Sequence, residues 1–535
     1  MQANGARYDY VVVGAGSAGC VLANRLSADG RTKVLLLEAG GADRDIRLRL
    51  PIAARPLWFD PRFNWGYASE PEPHCADRRI PIPRGKVLGG SSSINGMFYV
   101  RGHPRDYDQW RQLGAEGWSY DDVLPYFKRI ETDWRGEGPF HGGSGPLHLT
   151  RSASEPHLVE SFLAAAERAG FKRSGDSNGA EPEGFGLPDL TIRRGRRASA
   201  SAAYLRAARD RSNLDVAIGA QATRLRLDCG RAVAIDYLQR GEARTAWAER
   251  EIVLSAGAIN SPQLLMLSGI GPADALRAHG IAIAVDLPGV GRNLQDHPAA
   301  GMDFACAEPI GFDRELRLDR FAVSLARWAL CGTGPAAGLP VIGNGFLRTR
   351  PELERSDIQM MATSASAFAR IWFPGLRKPK GHMFVTRTVL LHPESRGEVT
   401  LASADPLAKP KIRFNLLAMR TDLATLRQSI RITRQLFAEP PFAALCGCEL
   451  APGPDVESDE AIDAYLRRSV GTTFHPCGTC AMGNGLEAVV DARLKVRGVE
   501  GLRVADASIM PTIIGGNINA PVIMIGEKAS DLILQ

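Results

Sequence analysis

The hydrophobic positions at the start of the chain predict a strand, a helix and a second strand in close succession. Residues 8–13 (YDYVVV) are apolar and rich in β-branched side chains, as in a strand that is buried on both faces. After the turn GAGSAG, Val21, Leu22 and Leu26 fall on one face of a predicted helix. Residues 32–40 (TKVLLLEAG) predict the second strand. Together these elements make a βαβ unit of about thirty residues.

Clear patterns recur in two later regions. Four short apolar segments lie between residues 213 and 257, partly separated by turn residues such as DCGR, and they predict a small meander. Residues 420–439 repeat apolar positions at helical spacing, with arginines on the exposed face. Residues 300–390 contain several Gly and Pro breaks and few motifs. Since the chain has no internal repeat and no low-complexity linker, we expect its domains to be interleaved.

Composition adds size and charge to this picture. The 535 residues amount to roughly three or four typical domain lengths, which allows two large domains or one elaborated domain. Hydrophobic residues make up 44% and charged residues 23%, which is ordinary for a globular protein. The net charge of +6 is spread along the chain, so no nucleic-acid partner is expected. The short basic cluster RRGRR at 193–197 lacks interleaved aromatics and is interpreted as a solvated loop.

The number of cysteines and the lengths of the apolar runs bear on the cellular location of the protein. Nine cysteines in a chain of this length do not form a disulfide scaffold, and the odd count leaves at least one thiol free. No leader-like pattern precedes YDYVVVGAG, and no apolar run reaches the ~18 residues of a membrane span. These patterns predict a cytoplasmic protein without a transmembrane segment, with peripheral membrane contact left open.

The turn after the first strand has the spacing of a dinucleotide-binding motif. Gly14 permits the tight turn, Gly16 lets the backbone approach a pyrophosphate, and Gly19 allows close helix–strand packing. The N-terminus of the following helix offers free N–H groups to phosphates. Glu38, at the end of the second strand, is placed to accept hydrogen bonds from a ribose diol. The pattern predicts a dinucleotide but does not separate FAD from NAD.

Three further stretches, taken with GAGSAG, resemble one family. They are RGKVLGGSSSINGMFYVRG at 84–102, GAINSPQLLMLSGIG at 257–271, and the C-terminal run that contains HPCGTCAMG, VADASIMP and GNINAP. In this order they are similar to the motifs of the glucose–methanol–choline (GMC) oxidoreductases, especially choline and sugar-alcohol dehydrogenases and alcohol oxidases. The matches run from about residue 8 to residue 531, and the region 300–390 lacks a specific motif.

The resemblance implies an α/β protein, α+β overall, that binds FAD. A Rossmann-like FAD-binding domain is expected to interleave with a substrate domain built on an antiparallel sheet. The implied division is an N-terminal, mainly FAD-binding region at 7–300, a substrate-domain segment at 301–390, and a C-terminal region at 391–531. Residues 475–531 would return the chain to the FAD domain.

The residues that the motifs and the resemblance assign to FAD are mostly small or polar. They are Gly14, Gly16, Ser17, Ala18, Gly19, Glu38, Ala39, Gly89, Gly90, Ser91, Asn95, Gly96, Ala222, Asp506, Ala507, Asn519 and Pro521. A buried structural carboxylate is the competing interpretation of Asp506. Some family members attach FAD through a histidine just before the Asn of GGSSSIN, where this chain has Ile94. We therefore expect FAD to be held without a covalent bond.

His475 in TTFHPCGTCAMG has three interpretations from the residues alone. It could be a catalytic base, because an unperturbed histidine has a pKa of about 6.5. It could join Cys477 and Cys480 in a metal or redox site, although no second pair of matching spacing completes a ligand set. It could also be an ordinary core histidine. His103, His297 and His392 lie in turns and are interpreted as structural, and no metal site is expected.

The resemblance favours the base and supplies its chemistry. It implies that His475 takes the hydroxyl proton of an alcohol, that Asn517 orients the alcohol, and that hydride passes from carbon to flavin N5. The product would be an aldehyde or ketone, and a quinone-like acceptor or oxygen would reoxidise the flavin. The alternatives are a flavin-dependent lyase or decarboxylase on the same scaffold, and a non-catalytic flavoprotein that binds a partner.

Which alcohol is oxidised does not follow from these patterns. Four aromatic residues of the region 300–390 have two interpretations that the sequence supports equally, as the lining of a substrate pocket or as part of a core. They are Trp328, Phe368, Trp372 and Phe373. A cationic alcohol such as choline would need aromatic faces and a carboxylate near the flavin. The motifs assign no such carboxylate.

Overall fold

The computed structural model describes residues 5–152, 155–366 and 369–535. The helices are α1 (Ser17–Leu26), α2 (Ala54–Trp58), α3 (Pro104–Gln112), α4 (Tyr120–Ile130), α5 (Pro156–Arg168), α6 (Arg206–Ala208), α7 (Gly257–Leu267), α8 (Ala273–Ala278), α9 (Leu318–Cys331), α10 (Arg420–Ala438), α11 (Asp459–Ser469) and α12 (Asn519–Leu534). Short 3-10 and π turns connect several of them.

The strands fall mainly into two seven-stranded sheets. They are β1 (Ala6–Val13), β2 (Val34–Glu38), β3 (Tyr67–Ala68), β4 (Pro81–Ile82), β5 (Glu131–Thr132), β6 (Leu147–His148), β7 (Thr150–Arg151), β8 (Gly184–Gly186), β9 (Asp189–Leu190), β10 (Ile192–Arg193), β11 (Arg196–Arg197), β12 (Leu214–Ile218), β13 (Ala220–Asp228), β14 (Arg231–Gln239), β15 (Glu242–Leu254), β16 (Ile270–Gly271), β17 (Val285–Asp286), β18 (Pro298–Cys306), β19 (Val341–Leu347), β20 (Ile358–Thr363), β21 (Met383–Leu390), β22 (Glu398–Thr400), β23 (Lys411–Arg413), β24 (Cys446–Ala451), β25 (Gly471–Thr472) and β26 (Leu502–Val504).

The first sheet has the order β12-β2-β1-β15-β14-β13, and β26 pairs with β15. Its centre is parallel, since β1 pairs with β2 and β15, and β12 and β26 extend this parallel part. The inner residues of β1 and all of β2 are buried, as apolar runs on both faces require. The βαβ prediction is therefore confirmed. The GAGSAG turn directly follows the C-terminal end of β1, and Glu38 is the last residue of β2.

The predicted meander is confirmed for three of its four segments. Strands β13, β14 and β15 pair antiparallel in sequence. The first segment, β12, instead pairs parallel with β2, because its apolar residues complete the parallel core. The predicted helix at 420–439 is confirmed as α10.

The second sheet, with the order β24-β18-β21-β20-β19-β8, is antiparallel throughout. Four of its strands, β18 to β21, come from the region that lacks motifs. Strand β8 joins from the N-terminal half, and β24 and β25 join from the C-terminal part, so this sheet is assembled from separate stretches of the chain. The fold is thus the interleaved α/β and antiparallel arrangement that was expected. Separate hydrophobic cores pack against the two sheets.

The C-terminal helix α12 brings the end of the chain back to its beginning. It packs along α1 so closely that a Cβ at Gly526 would lie 3.0 Å from the Cα of Ala18. As a result, the Oγ of Ser17 donates a hydrogen bond of 2.8 Å to the side-chain oxygen of Asn519. Within the described ranges, no helix is long and apolar enough to cross a membrane.

Candidate active site

One cavity of about 360 Å³ is lined by residues of both sheets. Of the residues predicted to contact FAD, those that line it are Gly14, Gly16, Ser17, Ala18, Glu38, Ala39, Gly90, Ser91, Asn95, Gly96, Ala222, Asp506, Ala507 and Asn519. Gly19, Gly89 and Pro521 lie behind this wall. His475 and Asn517 line the same cavity. The fold therefore brings segments from both ends of the chain to one space.

The glycines of the first turn differ in what surrounds them. Gly14 has a φ of 100°, which favours glycine. A Cβ at Gly19 would lie 1.8 Å from the carbonyl oxygen of Gly14, so α1 packs against the turn only without a side chain there. A Cβ at Gly16 would meet no protein atom closer than 3.9 Å, which leaves that side open to the cavity. The packing of Gly14 and Gly19 agrees with the turn and helix roles expected of them, and the contact of Gly16 with a pyrophosphate stays a prediction.

The residues at this end fit the diphosphate of a dinucleotide. No side chain caps α1, so the amides of its first turn are free to face an anion. The backbone of Gly90 lies close to this turn, and a Cβ at Gly90 would be 2.7 Å from the Cα of Gly16. Two glycine-rich segments thus form adjoining walls made of backbone, which a flat or phosphorylated group can approach.

Glu38 lies at the end of β2, beside this turn. Its carboxylate accepts hydrogen bonds from the amides of Gly40 (2.7 Å) and Ala15 (3.0 Å). Burial raises the pKa of Glu38 to about 7, although the two amides oppose this shift. Glu38 also lines the cavity, the position that a contact to a ribose diol requires.

Asp506 has a structural role that is visible in its hydrogen bonds. One carboxylate oxygen accepts from the Gly257 amide at 2.8 Å and the Ser261 hydroxyl at 2.6 Å. The other accepts from the amide and hydroxyl of Ser508. Asp506 therefore fixes the start of α7 against the wall of the cavity. Both interpretations from the sequence, a cofactor neighbour and a buried structural carboxylate, remain compatible with this position.

Main-chain contacts hold His475 in place. The carboxylate of Asp296 accepts from the amides of His297 (2.8 Å) and His475 (2.9 Å). Phe474, just before His475, has a φ of 65°, in the left-handed region that bulky residues rarely adopt. The guanidinium of Arg84 donates to the carbonyl of Phe474. The peptide group between Phe474 and His475 is thus held through both its carbonyl oxygen and its amide.

The hydrogen bonds of two histidines determine which ring nitrogen of His475 carries a proton. His297 Nε2 faces the carbonyl oxygens of Ile514 (3.0 Å) and Leu391 (3.1 Å), so it carries a proton and donates. Burial lowers the pKa of His297 to about 3, which leaves its Nδ1 as an acceptor. His475 Nδ1 lies 3.0 Å from that atom and 2.9 Å from the hydroxyl oxygen of Thr473, and as the donor toward the His297 lone pair it carries the proton. Nε2 of His475 is left as the free acceptor.

That free nitrogen faces Asn517. The side-chain amide of Asn517 donates to His475 Nε2 at 3.3 Å, and its oxygen accepts from Gln359 at 3.3 Å. Gln359 also donates to Asn344 at 2.9 Å, which anchors this chain of contacts in the second sheet. Burial, His297 and Arg84 together lower the pKa of His475 well below its usual value, so its ring is neutral near pH 7. The arrangement can accept a proton from a hydroxyl group in the cavity.

Comparison with known proteins matches this architecture. The GMC oxidoreductase family model, described as "GMC oxidoreductase", matches residues 8–299 in its N-terminal part and 393–526 in its C-terminal part. The chain belongs to the GMC oxidoreductase family. It is 45% identical over 528 residues to an oxygen-dependent choline dehydrogenase of Rhizobium etli, covering 98% of this chain and 95% of that one.

Solved GMC oxidoreductase structures share the fold over nearly the whole chain. Pyridoxine 4-oxidase from Mesorbium loti is 33% identical, with a TM-score of 0.88 and coverage of 98% of both chains. Formate oxidase of Aspergillus oryzae is 29% identical, with a TM-score of 0.92 and coverage of 99% of this chain and 98% of that one. The protein is therefore an FAD-dependent oxidoreductase that acts on alcohol donors, as the resemblance implied.

Several cavity residues of this GMC oxidoreductase were missed from the sequence. His297 was interpreted as structural, yet it contacts the ring of His475. Trp58, Phe474, Gln359 and Arg387 belong to no motif assigned to the site; Gln359 contacts Asn517, and the other three line the cavity. The one available signal was position: Phe474 adjoins His475 in the chain, and His297 follows an aspartate in the turn LQDHP.

The aromatic residues that the sequence offered for a substrate pocket lie elsewhere. Trp328 is buried in a separate hydrophobic cluster and donates to the carbonyl of Gly195. Trp372 donates to the carbonyl of Asp313, and Phe373 is 38% exposed. Phe368 lies outside the described residues. The core interpretation is therefore correct for Trp328, and the aromatic walls come instead from Trp58, Trp65, Phe98 and Phe474.

The alternative metal or redox site at His475 has no support in the geometry. Burial raises the pKa values of the Cys477 and Cys480 thiols, which disfavours the thiolate needed for either role. Among the described residues, the one group with ligand atoms close enough for a metal ion is Glu131, Asp133 and His141. Arg101 forms an ion pair within that group, so its charges are already compensated.

Proposed function

We propose that His475 is the base that removes the hydroxyl proton of the alcohol and that Asn517 orients the hydroxyl group beside it. The observation that carries the proposal is the tautomer of His475. Its Nδ1 hydrogen points to His297, so the lone pair of Nε2 points into the cavity. A neutral imidazole in that orientation can accept a proton once the hydroxyl group of the alcohol replaces the 3.3 Å contact from the Asn517 amide.

Each neighbouring residue has a part in this step. His297 holds the ring of His475 in one tautomer and Asp296 holds its backbone. Asn517 is kept in place by Gln359, and its amide nitrogen offers a hydrogen bond to an alcohol oxygen in the space that it shares with His475 Nε2. FAD, when bound, supplies the hydride acceptor for the alcohol carbon. In this proposal, side chains of the protein remove the proton, whereas electron transfer depends on FAD.

The alcohol is a small molecule, and the names of relatives suggest choline and pyridoxine as candidates to test. The same relatives are described as dehydrogenases and oxidases, which supports oxidation over the lyase or decarboxylase alternative. The electrons would then leave to a quinone-like acceptor or to dioxygen. Comparing the rates of flavin reoxidation by air and by a soluble quinone distinguishes the two.

The experiment that tests the function is anaerobic mixing of the purified flavoprotein with a panel of alcohols that includes choline and pyridoxine. Oxidation predicts bleaching of the flavin absorbance by at least one alcohol, together with one equivalent of aldehyde or ketone. Turnover of a substrate without bleaching would support the lyase. A variant that lacks the imidazole, His475→Ala, should lose the bleaching while retaining FAD.

FAD is proposed to be bound without a covalent link. Ile94 lines the cavity where some relatives would have a histidine, and no cysteine or tyrosine is found among the described residues of the cavity wall. Acid precipitation should therefore leave the yellow colour in the supernatant. Flavin that stays in the protein pellet would show that a residue forms a link that we have not identified.

We also propose the three-part division at residues 300 and 390, and a cytoplasmic location. The strands β18 to β21 span most of the middle part, which supports a substrate segment there. All nine cysteines are described and unpaired, as in a reducing compartment. Limited proteolysis and cell fractionation test these two proposals.

A further inference from the structure

Arg387 lines the cavity from the second sheet. It lies on β21, between Met361 of β20 and Gly301 of β18. Gly301 has no side chain, and a Cβ built there would lie 3.8 Å from a terminal nitrogen of Arg387. Water reaches the guanidinium through the cavity, yet protein surrounds it so closely that burial lowers its pKa. The group is therefore enclosed but open to whatever fills the cavity.

The guanidinium of Arg387 lacks a partner within the protein. None of the residues in the described ranges forms a hydrogen bond or an ion pair with it. Asp303 acts on its pKa from farther away, and the same carboxylate also acts on Arg55. The Asp303 carboxylate thus acts on two guanidinium groups, and within the described ranges it forms a direct ion pair with neither Arg387 nor any other residue.

No carboxylate balances this charge across the cavity. Of the described residues that line it, the acidic ones are Glu38 and Asp506, and both belong to the nucleotide end. At the substrate end the other charged residue is Arg84, which is also cationic and is occupied with the carbonyls of Pro83 and Phe474. An exposed guanidinium at the cavity wall without a partner in the described part of the protein offers its N–H donors to an anion that enters the cavity.

Arg387 is close enough to the reacting group to hold a small substrate. Gln359 and Met361 are alternate residues of β20 and face the same side, and Arg387 is directly opposite Met361. One alternate step along a strand is about 7 Å and one strand across is about 5 Å, so Arg387 begins about 8 Å from Gln359. Gln359 contacts Asn517, which faces His475.

The aromatic walls do not form a free cage for a cation. The indole of Trp58 donates to the carbonyl of Ile94 and packs edge-on against Phe474. Lys86 already lies over the ring of Trp65, 4.3 Å from its centroid. Aromatic and aliphatic side chains therefore supply an apolar surface between His475 and Arg387, and the charged end of that surface is positive.

We propose that the alcohol oxidised by this enzyme carries an anionic oxygen group, such as a carboxylate, that pairs with Arg387. The substrate class is then an alcohol with an apolar body between its hydroxyl group and its anion. This inference rests on the proposed function, because it assumes that the hydroxyl group lies at His475. A quaternary ammonium alcohol, such as the one named for the choline dehydrogenase relatives, would meet a like charge in the same place.

The test compares two alcohols that differ only in charge, 4-(hydroxymethyl)benzoate and 4-(hydroxymethyl)benzamide, with choline as the cation. The rate constant of anaerobic flavin reduction divided by Kd is measured for each with the holoenzyme. The wild-type enzyme should favour the benzoate. Arg387→Met should lower the benzoate-to-benzamide ratio about 10- to 100-fold, as expected for a hydrogen bond to a charged group. Arg387→Lys should retain part of the preference.

Arg277→Met is the matched control, because Arg277 lies on the surface of α8 in an exposed ion pair with Asp274. It should leave the ratio unchanged. An unchanged ratio in Arg387→Met, or a higher wild-type value for choline than for the benzoate, overturns the proposal.

If a variant does not fold, the affinity of the wild-type enzyme for the two alcohols tests the anion site directly. Calorimetry of the wild-type holoenzyme should show benzoate binding at least tenfold more tightly than benzamide, with the difference reduced at high salt. Equal affinities contradict the role of Arg387. His475→Ala should keep this preference while losing flavin reduction, so failure of the base and failure of the anion site give different results.

Discussion

The two ends of the cavity recognise their ligands by different means. The nucleotide end has a wall of backbone, where glycines at 14, 16 and 90 let main-chain atoms approach a ligand, with the Glu38 side chain beside it. The substrate end is formed by side chains, with His475 and Asn517 facing residues of the second sheet. A backbone wall depends on a short run of residue types, whereas a side-chain wall depends on how distant segments pack. Substitutions should therefore have separable effects at the two ends.

The largest expected effect is at the base. His475→Ala should lower the rate of anaerobic flavin reduction roughly 10²- to 10⁴-fold, the usual loss for a positioned base, with FAD still bound. Stopped-flow absorbance with a reactive alcohol measures this rate. His157→Ala, at an exposed histidine of α5, is the control and should reduce normally. Normal reduction in His475→Ala would remove the imidazole from the mechanism.

At the nucleotide end, a methyl group added at Gly16 should weaken the binding of FAD without lowering the stability of the apoprotein. A Cβ at Gly16 meets no protein atom closer than 3.9 Å and lies at the cavity, so Gly16→Ala should weaken FAD binding about tenfold or more, which corresponds to about 1.4 kcal/mol. The apoprotein should keep its thermal stability. Titration of the apoprotein with FAD, followed by flavin fluorescence, measures the affinity.

Gly19→Ala sharpens the same comparison, because its Cβ would lie 1.8 Å from the carbonyl oxygen of Gly14. This variant should destabilise the apoprotein itself, by about 1–3 kcal/mol as for an overpacked site. Gly41→Ala, where a Cβ would meet nothing within 4 Å, is the control for both variants. Equal losses of FAD affinity and of stability in Gly16→Ala and Gly19→Ala would refute the distinction.

A smaller effect is expected at Asn517. Asn517→Ala removes one hydrogen bond to the alcohol oxygen, worth about 1 kcal/mol, so flavin reduction should slow by roughly fivefold to tenfold. Gln359→Leu, which releases the Asn517 side chain, should slow it less. Asn484→Ala, at an exposed position, serves as the control. An effect of Asn517→Ala on melting temperature alone would point to a structural role.

The pH profile gives the smallest expected change. Burial lowers the pKa of His475 well below its usual value, so the imidazole stays unprotonated as the pH falls through 6.5. The rate of flavin reduction should therefore be flat from about pH 7 upward and decline only below the ordinary histidine range of about 6.5. Measurement between pH 5 and 9 tests this. A rate that already falls above pH 6.5 would contradict a depressed pKa.

Local patterns predicted the nucleotide end almost completely. The glycine spacing, the strands on either side and Glu38 lie within a span of some thirty residues, and their geometry follows from the βαβ unit alone. The exceptions are instructive. Gly19, Gly89 and Pro521 are not among the residues that line the cavity, and at Gly19 the packing of α1 against the turn already excludes a side chain.

The substrate end was predicted only at His475 and Asn517, which occur in motifs. His297, interpreted as structural, contacts His475 from 178 residues away, and Gln359 contacts Asn517 from 158 residues away. No local periodicity connects such pairs. Of the aromatic residues considered in the region 300–390, those that the structure describes do not line the cavity. Strand pairing places Met361 and Arg387 there instead.

The sequence by itself determined the fold class and the glycine-rich turn, because both follow from residue types at short spacing, and its resemblance to the family singled out His475 as the proposed base. Only the tertiary structure decided which nitrogen of His475 is free, which residues hold it, and which charge faces the substrate. Those properties depend on contacts between strands and loops that are far apart in the chain. Their energies arise from burial and hydrogen-bond geometry, which exist only after the two sheets have come together.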